Sequence, residues 1–415
     1  MSTKTKAERH PERSVPAAML EDIRELCSFE ARLAGTDAER RAANRCAERL
    51  REQGRAPEIE PTYVHPQAPL VWAAHCVIAF AGSLATSIEP AVGFALVLFA
   101  ATSLYLDLNG RVYLLRTLFF RRASQNVIAA GSNPDAPARV ILTAHLDVGR
   151  GGAVFAERNR RRIDRLTRVL GVAPPRLVFW SIAVLLPLLG ARMAGVDSDA
   201  LPTLQLPSTL LLLVAIFLLV DVQLSDPSPG ANDNASGVAV ALEVARELDS
   251  RAPKNLDVWV ALTVAQEAGA EGMRSLVRSR RNDWDPAATF VVALDSVGRG
   301  DIRFVTAEGP AVAYPMDRRL AELAAAIADA DREEGSRYRA APLRRASSSD
   351  AYAAAARGWR AIAITCLEPG ASLPANHHTG ADVPAAIDSS SLERAREFTL
   401  ALVGALDADV ARAHA

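Results

Sequence analysis

P-G-A-N-D-N-A-S-G-V-A-V-A-L, residues 229–242, places one carboxylate, Asp233, in a turn of small residues and runs straight into an apolar helical pattern. Gly230 and Gly237 permit tight backbone there, and the short side chains around Asp233 leave room for a ligand. A helix start also aims unpaired N–H groups and the positive end of a dipole at any anion before it. Taken alone, the stretch reads equally well as an ordinary helix N-cap. Its surroundings decide between the two.

Downstream, helical and strand patterns alternate. A helix to about Leu248, a strand at Leu256–Val264, a helix at Ala270–Arg280 and a strand at Ala288–Leu294 come first. A strand at Ile302–Thr306, a helix at Met316–Asp331, a strand at Arg360–Thr365 and a helix at Ser390–Leu406 follow. Upstream, Glu58–Val64, Asn126–Ala130 and Arg139–Ala144 read as strands. Val15 to Gly54 reads as two helices, the second over Asp37–Arg51 with Thr36 or Asp37 as its cap and Glu39 in its first turn. Such alternation predicts an α/β fold with a mostly parallel open sheet and helices on both faces.

The chain has 415 residues, 50% of them hydrophobic, and that apolar content is concentrated in two blocks, 70–108 and 176–224. Leu70–Ile88 and Ala91–Leu106 form one apolar hairpin, with His75 as the only titratable residue of its first arm. Leu177–Ala191, which contains Pro187, and Leu206–Val220 form another. Each run approaches the length that spans a bilayer, and proline is tolerated where neighbouring helices satisfy the freed carbonyl. Arginine crowds 111–122 and 158–168, whereas the loop at 192–206 sets Arg192 against Asp197 and Asp199. The positive-inside rule therefore puts the arginine-rich side in the cytoplasm. Four spans return the chain to its starting side. The expectation is a multi-pass protein of the cell membrane, with the bilayer as partner and one cytoplasmic α/β domain built from 15–66, 124–152 and 225–410. Residues 70–108 and 176–224 are its transmembrane hairpins, 153–175 a basic segment, and 1–14 a disordered start.

Net charge is −1, which gives no electrostatic ground for nucleic-acid binding. The four cysteines, Cys27, Cys46, Cys76 and Cys366, fall in no paired spacing and read as free thiols of a reducing compartment. The charged N-terminus has no apolar core behind it and does not read as a cleavable signal peptide.

Polar residues interrupt the pattern where strands end. His145 and Asp147 follow the strand at 139–144, Glu267 follows 256–264, and Asp295 follows 288–294. His377-His378-Thr379 lies in the loop between the last strand and the last helix. Open α/β sheets bind ligands beyond the carboxyl ends of their strands. Each residue alone has a plain structural explanation as a turn, cap or loop residue. Together, two histidines and three carboxylates at one edge suit two divalent ions of the zinc type, one carboxylate bridging. Two such ions about 3.5–4 Å apart can share a hydroxide nucleophile and polarise a carbonyl.

T-A-H-L-D-V, G-A-N-D-N-A-S-G, Q-E-A-G-A-E-G, A-L-D-S-V-G and H-H-T-G-A-D, in that order, resemble the successive motifs of the family-28 metallopeptidases. That group comprises di-zinc aminopeptidases, related carboxypeptidases and zinc-containing glutaminyl cyclases, all built on a zinc-peptidase/phosphorylase-like fold. R-L-A-G-T-D-A-E-R-R-A-A resembles the opening of the same family, so the likeness covers about 15–60 and 124–410. It implies one zinc on His145 and Asp295, another on Glu267 and His378, and Asp233 bridging. Asp147 would orient His145 through its second ring nitrogen. The apolar blocks are departures from the family pattern, and so is S-S-S-D-A-Y, where a histidine expected after Asp350 is missing.

The departure with chemical consequence is Gln266. The family has two adjacent glutamates, the first a general base and the second a ligand, whereas this chain has Gln266-Glu267. An amide can hydrogen-bond water but cannot take its proton. Glu271, one helical turn onward, is expected to face elsewhere. The resemblance thus implies a zinc peptidase, an aminopeptidase acting on short peptides, and the apolar runs would anchor it in the membrane. A metal-binding pseudoenzyme is the alternative from Gln266, and a glutaminyl cyclase-like acyltransferase would need the same missing carboxylate.

Overall fold

Strong alternation of large and small apolar residues sets the layers of this protein. The computed structural model describes residues 15–170 and 174–414, so the stretch 1–14, expected to be disordered, lies outside the described residues. The chain begins with α1 (Val15–Ser28), α2 (Asp37–Glu52) and β1 (Pro57–Val64). The apolar pair α3 (Ala68–Ala85) and α4 (Pro90–Leu108) precedes β2 (Arg122–Ala129) and β3 (Ala138–His145). Then come α5 (Glu157–Leu170), α6 (Pro174–Met193), α7 (Ala200–Leu224), α8 (Ser236–Ser250), β4 (Leu256–Thr263), α9 (Glu271–Arg280) and β5 (Thr289–Leu294). The chain closes with β6 (Asp301–Glu308), β7 (Tyr314–Pro315), α10 (Arg318–Glu334), β8 (Ala341–Arg345), α11 (Asp350–Ala355), β9 (Arg360–Leu367) and α12 (Ser389–His414).

The sheet has nine strands in the order β1-β2-β4-β3-β5-β9-β6-β7, with β8 paired to β6. Its centre, β4-β3-β5-β9, is parallel, and the parallel ladder resumes between β6 and β8. The flanks β1-β2-β4 and β9-β6-β7 are antiparallel, so the sheet is mixed. On one face Val140, Leu142, Val260, Leu262, Val292, Leu294, Ile362 and Ile364 pack in a core with α1, α2, α8, α10 and α12. Alternate residues point the other way. There Ile141, Ala261, Val291, Ala293, Ala361 and Ala363 form a second core with α9 and α11. The alanines on that face admit the equally small Ala351 and Ala353–Ala356 of α11 close to the sheet. Burial on both faces explains why the central strands read as continuous apolar runs.

The apolar pairs form a separate four-helix bundle in which α3 packs on α4 and α7, and α6 packs on α4 and α7. All four helices are long and apolar enough to cross a membrane. Large side chains stay exposed on the bundle, among them Ile88 at 89%, Phe217 at 69% and Leu204 at 58%. The few polar side chains pair inside. His75 takes Val71 O at 2.7 Å and Ser103 Oγ at 2.8 Å, and Gln205 Nε2 donates to Ser83 Oγ at 2.6 Å. These pairs tie α3 to α4 and α7 to α3. Pro187 and Pro207 both lie inside their helices.

The expected helices and strands are present, with ends shifted by a few residues. Four elements had no counterpart in the expectation: α5, which falls in the stretch read only as a basic segment, and β7, β8 and α11. β7 is two residues long, Pro342 weakens the strand signal of β8, and α11 is too short and too alanine-rich to display a period.

Candidate metal centre

The carboxyl ends of β3, β4, β5 and β9 share one edge, and the chain leaves each strand there into a loop carrying polar residues. His145 is the last residue of β3 and is 3% exposed. Asp233 comes from the turn before α8. It does not cap that helix, because Asn234 Oδ1 accepts the Gly237 N–H at 3.1 Å instead. The turn is gripped from several sides. Asp382 accepts Asn232 N at 2.7 Å and Asp233 N at 3.1 Å, and Asn232 Oδ1 accepts Gly298 N at 2.8 Å. Asn234 Nδ2 donates to Leu294 O at 2.8 Å. A Cβ on Gly237 would fall 2.3 Å from that same Leu294 carbonyl, so only glycine lets α8 approach β5 this closely. The Arg32 guanidinium donates to Gly230 O and Leu146 O, both at 3.2 Å, fastening the turn to the end of β3.

With its backbone held, the Asp233 carboxylate meets three imidazoles. Oδ1 lies 3.4 Å from His145 Nε2, and Oδ2 lies 2.8 Å from His377 Nδ1 and 3.4 Å from His378 Nε2. His378 Nε2 is also 2.9 Å from Glu267 Oε1. His377 and His378 stack with ring centroids 3.9 Å apart, and the Phe155 ring stands edge-on to His378 at 4.5 Å. Two donor triads result, each gathered within 4.8 Å: His145 with Asp233 and Glu267, and Asp233 with His377 and His378. Asp233 belongs to both.

The loop after β4 brings Glu267 in through Asp147. Asp147 is fully buried; Oδ1 accepts Gln266 N at 2.9 Å and Oδ2 accepts Glu267 N at 3.0 Å. Its own backbone carbonyl lies 3.0 Å from His145 Nδ1, and its Oδ1 3.4 Å from the same nitrogen. One residue therefore sets both the His145 ring and the Glu267 backbone. The Gln266 amide donates to Ser348 O. Glu271 lies apart from the centre, its carboxylate taken up by His65 and Arg116. Asp295 is also engaged elsewhere: Oδ2 accepts from Arg345 Nη2 at 2.8 Å, and Asp295 belongs to neither donor triad.

Electrostatics fit a cation. Burial disfavours charge on His145, but the neighbouring Asp147 and Asp233 carboxylates overcome it and hold the imidazole well above the usual histidine range. Against the same burial, Glu267 and Asp233 push His378 up to about 10. Burial would raise Asp233 too, yet its three histidines hold it well below the usual carboxylate range. His145 Nε2, Asp233 Oδ2, His377 Nδ1 and His378 Nδ1 are buried with no hydrogen-bond partner. His145 Nε2, Asp233 Oδ2 and His377 Nδ1 fall within one cluster without bonding each other, as donors to a divalent ion of the zinc type would.

Of the residues predicted from sequence, the centre assembles His145, Asp233, Glu267 and His378, with Asp147 and Gln266 on its margin, and leaves Asp295 to Arg345. It adds His377, which the H-H pair displays but which nothing in the sequence distinguishes from a solvent-facing neighbour of His378. Asp382 closes the quoted H-H-T-G-A-D motif. Glu39, pushed up to about 8 by burial and by the Asp147 charge, braces the centre by accepting from Gly35 N, Ser124 Oγ and Ala265 N.

Among models of known families, that of peptidase family M28 matches residues 214–403, a stretch that includes Asp233, Glu267, Asp295 and both histidines of the final loop. No curated protein matches the chain. A Zn-dependent exopeptidase of Parabacteroides distasonis is 15% identical at TM-score 0.52, covering 93% of this chain and 96% of that one. A glutaminyl cyclase of Bacteroides thetaiotaomicron is 16% identical at TM-score 0.53, covering 94% and 97%. A leucine aminopeptidase precursor of the same organism is 17% identical at TM-score 0.51, covering 94% and 96%. At such identities the likeness is one of fold.

Proposed function

We propose that this chain, whose residues 214–403 match the model of peptidase family M28, is a membrane-anchored zinc peptidase, an aminopeptidase cleaving short peptides beside the cytoplasmic face of a bilayer. The observation that carries this reading is the convergence of the buried His145, Asp233 and His378 with the half-buried Glu267 and His377, ring and carboxylate atoms being left unpaired. The donor set fits two ions sharing Asp233. Each triad supplies three protein ligands, the number a catalytic zinc keeps when one position stays open for water or substrate. Zinc there would supply a Lewis acid and a nucleophile active at neutral pH. The chain's own part is to hold donors and backbone: Asp147 fixes His145 and Glu267, and Asp382 fixes Asp233.

The membrane part rests on the four apolar helices and on how they meet the centre. Asp221, near the end of α7, accepts Ala153 N at 2.6 Å, and Arg176 of α6 donates to Arg345 O at 2.9 Å. Substrate would be drawn from the layer next to the bilayer. The test is hydrolysis of an aminoacyl-anilide panel by detergent-purified protein with zinc. Turnover abolished by chelation and by His378→Ala is expected; turnover unchanged in His378→Ala, or protein without transition metal, overturns the reading.

Gln266 favours a second reading, a metal-binding scaffold without turnover. It predicts bound zinc and no hydrolysis of any peptide. Glutaminyl cyclisation has support from fold likeness alone and needs a proton acceptor where Gln266 stands.

A further inference from the structure

Away from the metal centre, three segments enclose a cavity of about 510 Å³: the end of β1 through His65, the chain after α4, and α9. His65 lies three residues before α3 starts, and Tyr113 five residues after α4 ends. The cavity therefore sits at the level where that hairpin leaves its apolar layer. Leu118, Phe120 and Leu114, exposed at 79%, 50% and 42%, project from the same stretch that carries Arg121. Mixed apolar and arginine side chains of this kind belong in a headgroup region.

The wall is cationic. Arg274 lines the cavity, is 4% exposed, and donates from Nε to Gly269 O at 2.6 Å and from Nη2 to Leu108 O at 3.0 Å. Its Nη1 packs against Gly110 with no hydrogen-bond partner, and among the described residues no carboxylate pairs with this guanidinium. Arg121 and Arg278 complete the basic lining. The single carboxylate of the wall, Glu271, is already matched by Arg116 Nη1 at 3.1 Å and by His65 Nδ1 at 3.0 Å. Arginines crowd the surroundings as well: burial and the charges of Arg274, Arg111 and Arg278 hold Arg357 below its usual range. A buried guanidinium without a carboxylate partner, flanked at the cavity's mouth by the exposed Arg121 and Arg278, leaves a net positive wall that an anion would balance, and arginine forks suit phosphate.

We infer that this cavity binds a phosphate group presented at the membrane surface, the headgroup of an anionic phospholipid, an assignment that rests on the membrane reading above. Its wall also touches the metal-bearing loop. Arg116 Nη1 donates to Ala268 O at 2.6 Å while its other nitrogens fork onto Asp107 at the foot of α4, and Arg274 holds Gly269 O. A headgroup that draws on Arg274 bears on the segment that begins with Gln266 and Glu267.

The test uses the full chain in detergent and in vesicles. Flotation with pure phosphatidylcholine vesicles reads insertion alone; a chain that fails to float overturns the membrane reading. On a chain that floats, native mass spectrometry compares retained phosphatidylglycerol with phosphatidylcholine. We expect a preference for phosphatidylglycerol that falls about fivefold for each arginine removed in Arg121→Gln and Arg278→Gln, both surface changes that spare the fold. Arg274→Met is expected to abolish it. Equal retention of the two lipids in wild type overturns the headgroup site. Saturable binding of glycerol phosphate without lipid preference overturns it in favour of a soluble phosphate ester.

Discussion

Arg345 Nη2 stands 2.8 Å from Asp295 Oδ2, and its Nε 2.9 Å from Glu308 Oε1, in a pair of ion contacts removed from solvent. The carboxylate that family likeness would give to one ion is thus matched to a guanidinium, while His377 stands 2.8 Å from the shared Asp233. Metal content separates the two assignments. Asp295→Asn is expected to leave zinc per chain unchanged and to lower stability by roughly 1–3 kcal/mol, because the half-buried Arg345 loses one of its two carboxylate partners. His377→Ala is expected to lose one ion and keep the fold. Elemental analysis of purified variants reads the first quantity and thermal unfolding the second. Zinc lost from Asp295→Asn but retained in His377→Ala would restore Asp295 to the ligand set.

Gln266→Glu tests the base. Asp147 holds the backbone at Gln266, while the variant gives up the amide's hydrogen bond to Ser348 O and frees the side chain to turn from that carbonyl. A carboxylate there can take a proton, and turnover is expected to rise by about 10²–10⁴-fold with zinc content constant. An unchanged rate would mean that another group, or hydroxide itself, does that work in the wild type.

The parts of the centre legible in sequence were those that follow an apolar strand directly. His145, Glu267 and Asp295 could be read because a buried parallel strand must end at one edge, and Asp233 because a turn of small residues before a helix has few other uses. What lay beyond reach depends on which way side chains turn across long separations. Arg345 is one basic residue among many, and its contact with Asp295 spans fifty positions. His377 and His378 are sequence neighbours, and only the fold shows both rings at Asp233. The mixed flanks of the sheet escaped for a similar reason, since strand direction at an edge follows from connections, not from the strand's own composition.

Gly149 offers a test of metal affinity that alters no donor. A Cβ built on it would fall 2.2 Å from His378 Nε2, the atom facing Glu267 and Asp233. Gly149→Ala must therefore displace that ring. Supporting groups of this kind typically change metal affinity by about 10–100-fold, and a loss in that range is expected in competition with a fluorescent chelator. Far-ultraviolet circular dichroism should be unchanged, since Gly149 lies outside every helix and strand. Wild-type affinity in the variant would mean that His378 is not a ligand.

Asp350 gives a pH dependence of stability with a definite sign. It is buried beneath the centre, accepts from Thr143 Oγ1 at 2.9 Å and Thr263 Oγ1 at 2.6 Å, and leaves Oδ1 without a partner. Burial pushes it up to about 6 from 3.8, against the opposing pull of those hydroxyls. A carboxyl whose folded value exceeds its unfolded one favours the fold while protonated. Its contribution is fully present below about 4 and is lost as pH rises through about 6, a difference of about 3 kcal/mol by linkage. Asn keeps the shape and cannot ionise. Asp350→Asn should therefore melt close to wild type at pH 4 and above it at pH 7, and scanning calorimetry across that range reads the gap directly. A gap that stays constant with pH would mean that Asp350 is not protonated on folding, and would point instead to a carboxylate that the Thr143 and Thr263 hydroxyls keep ionised under His145.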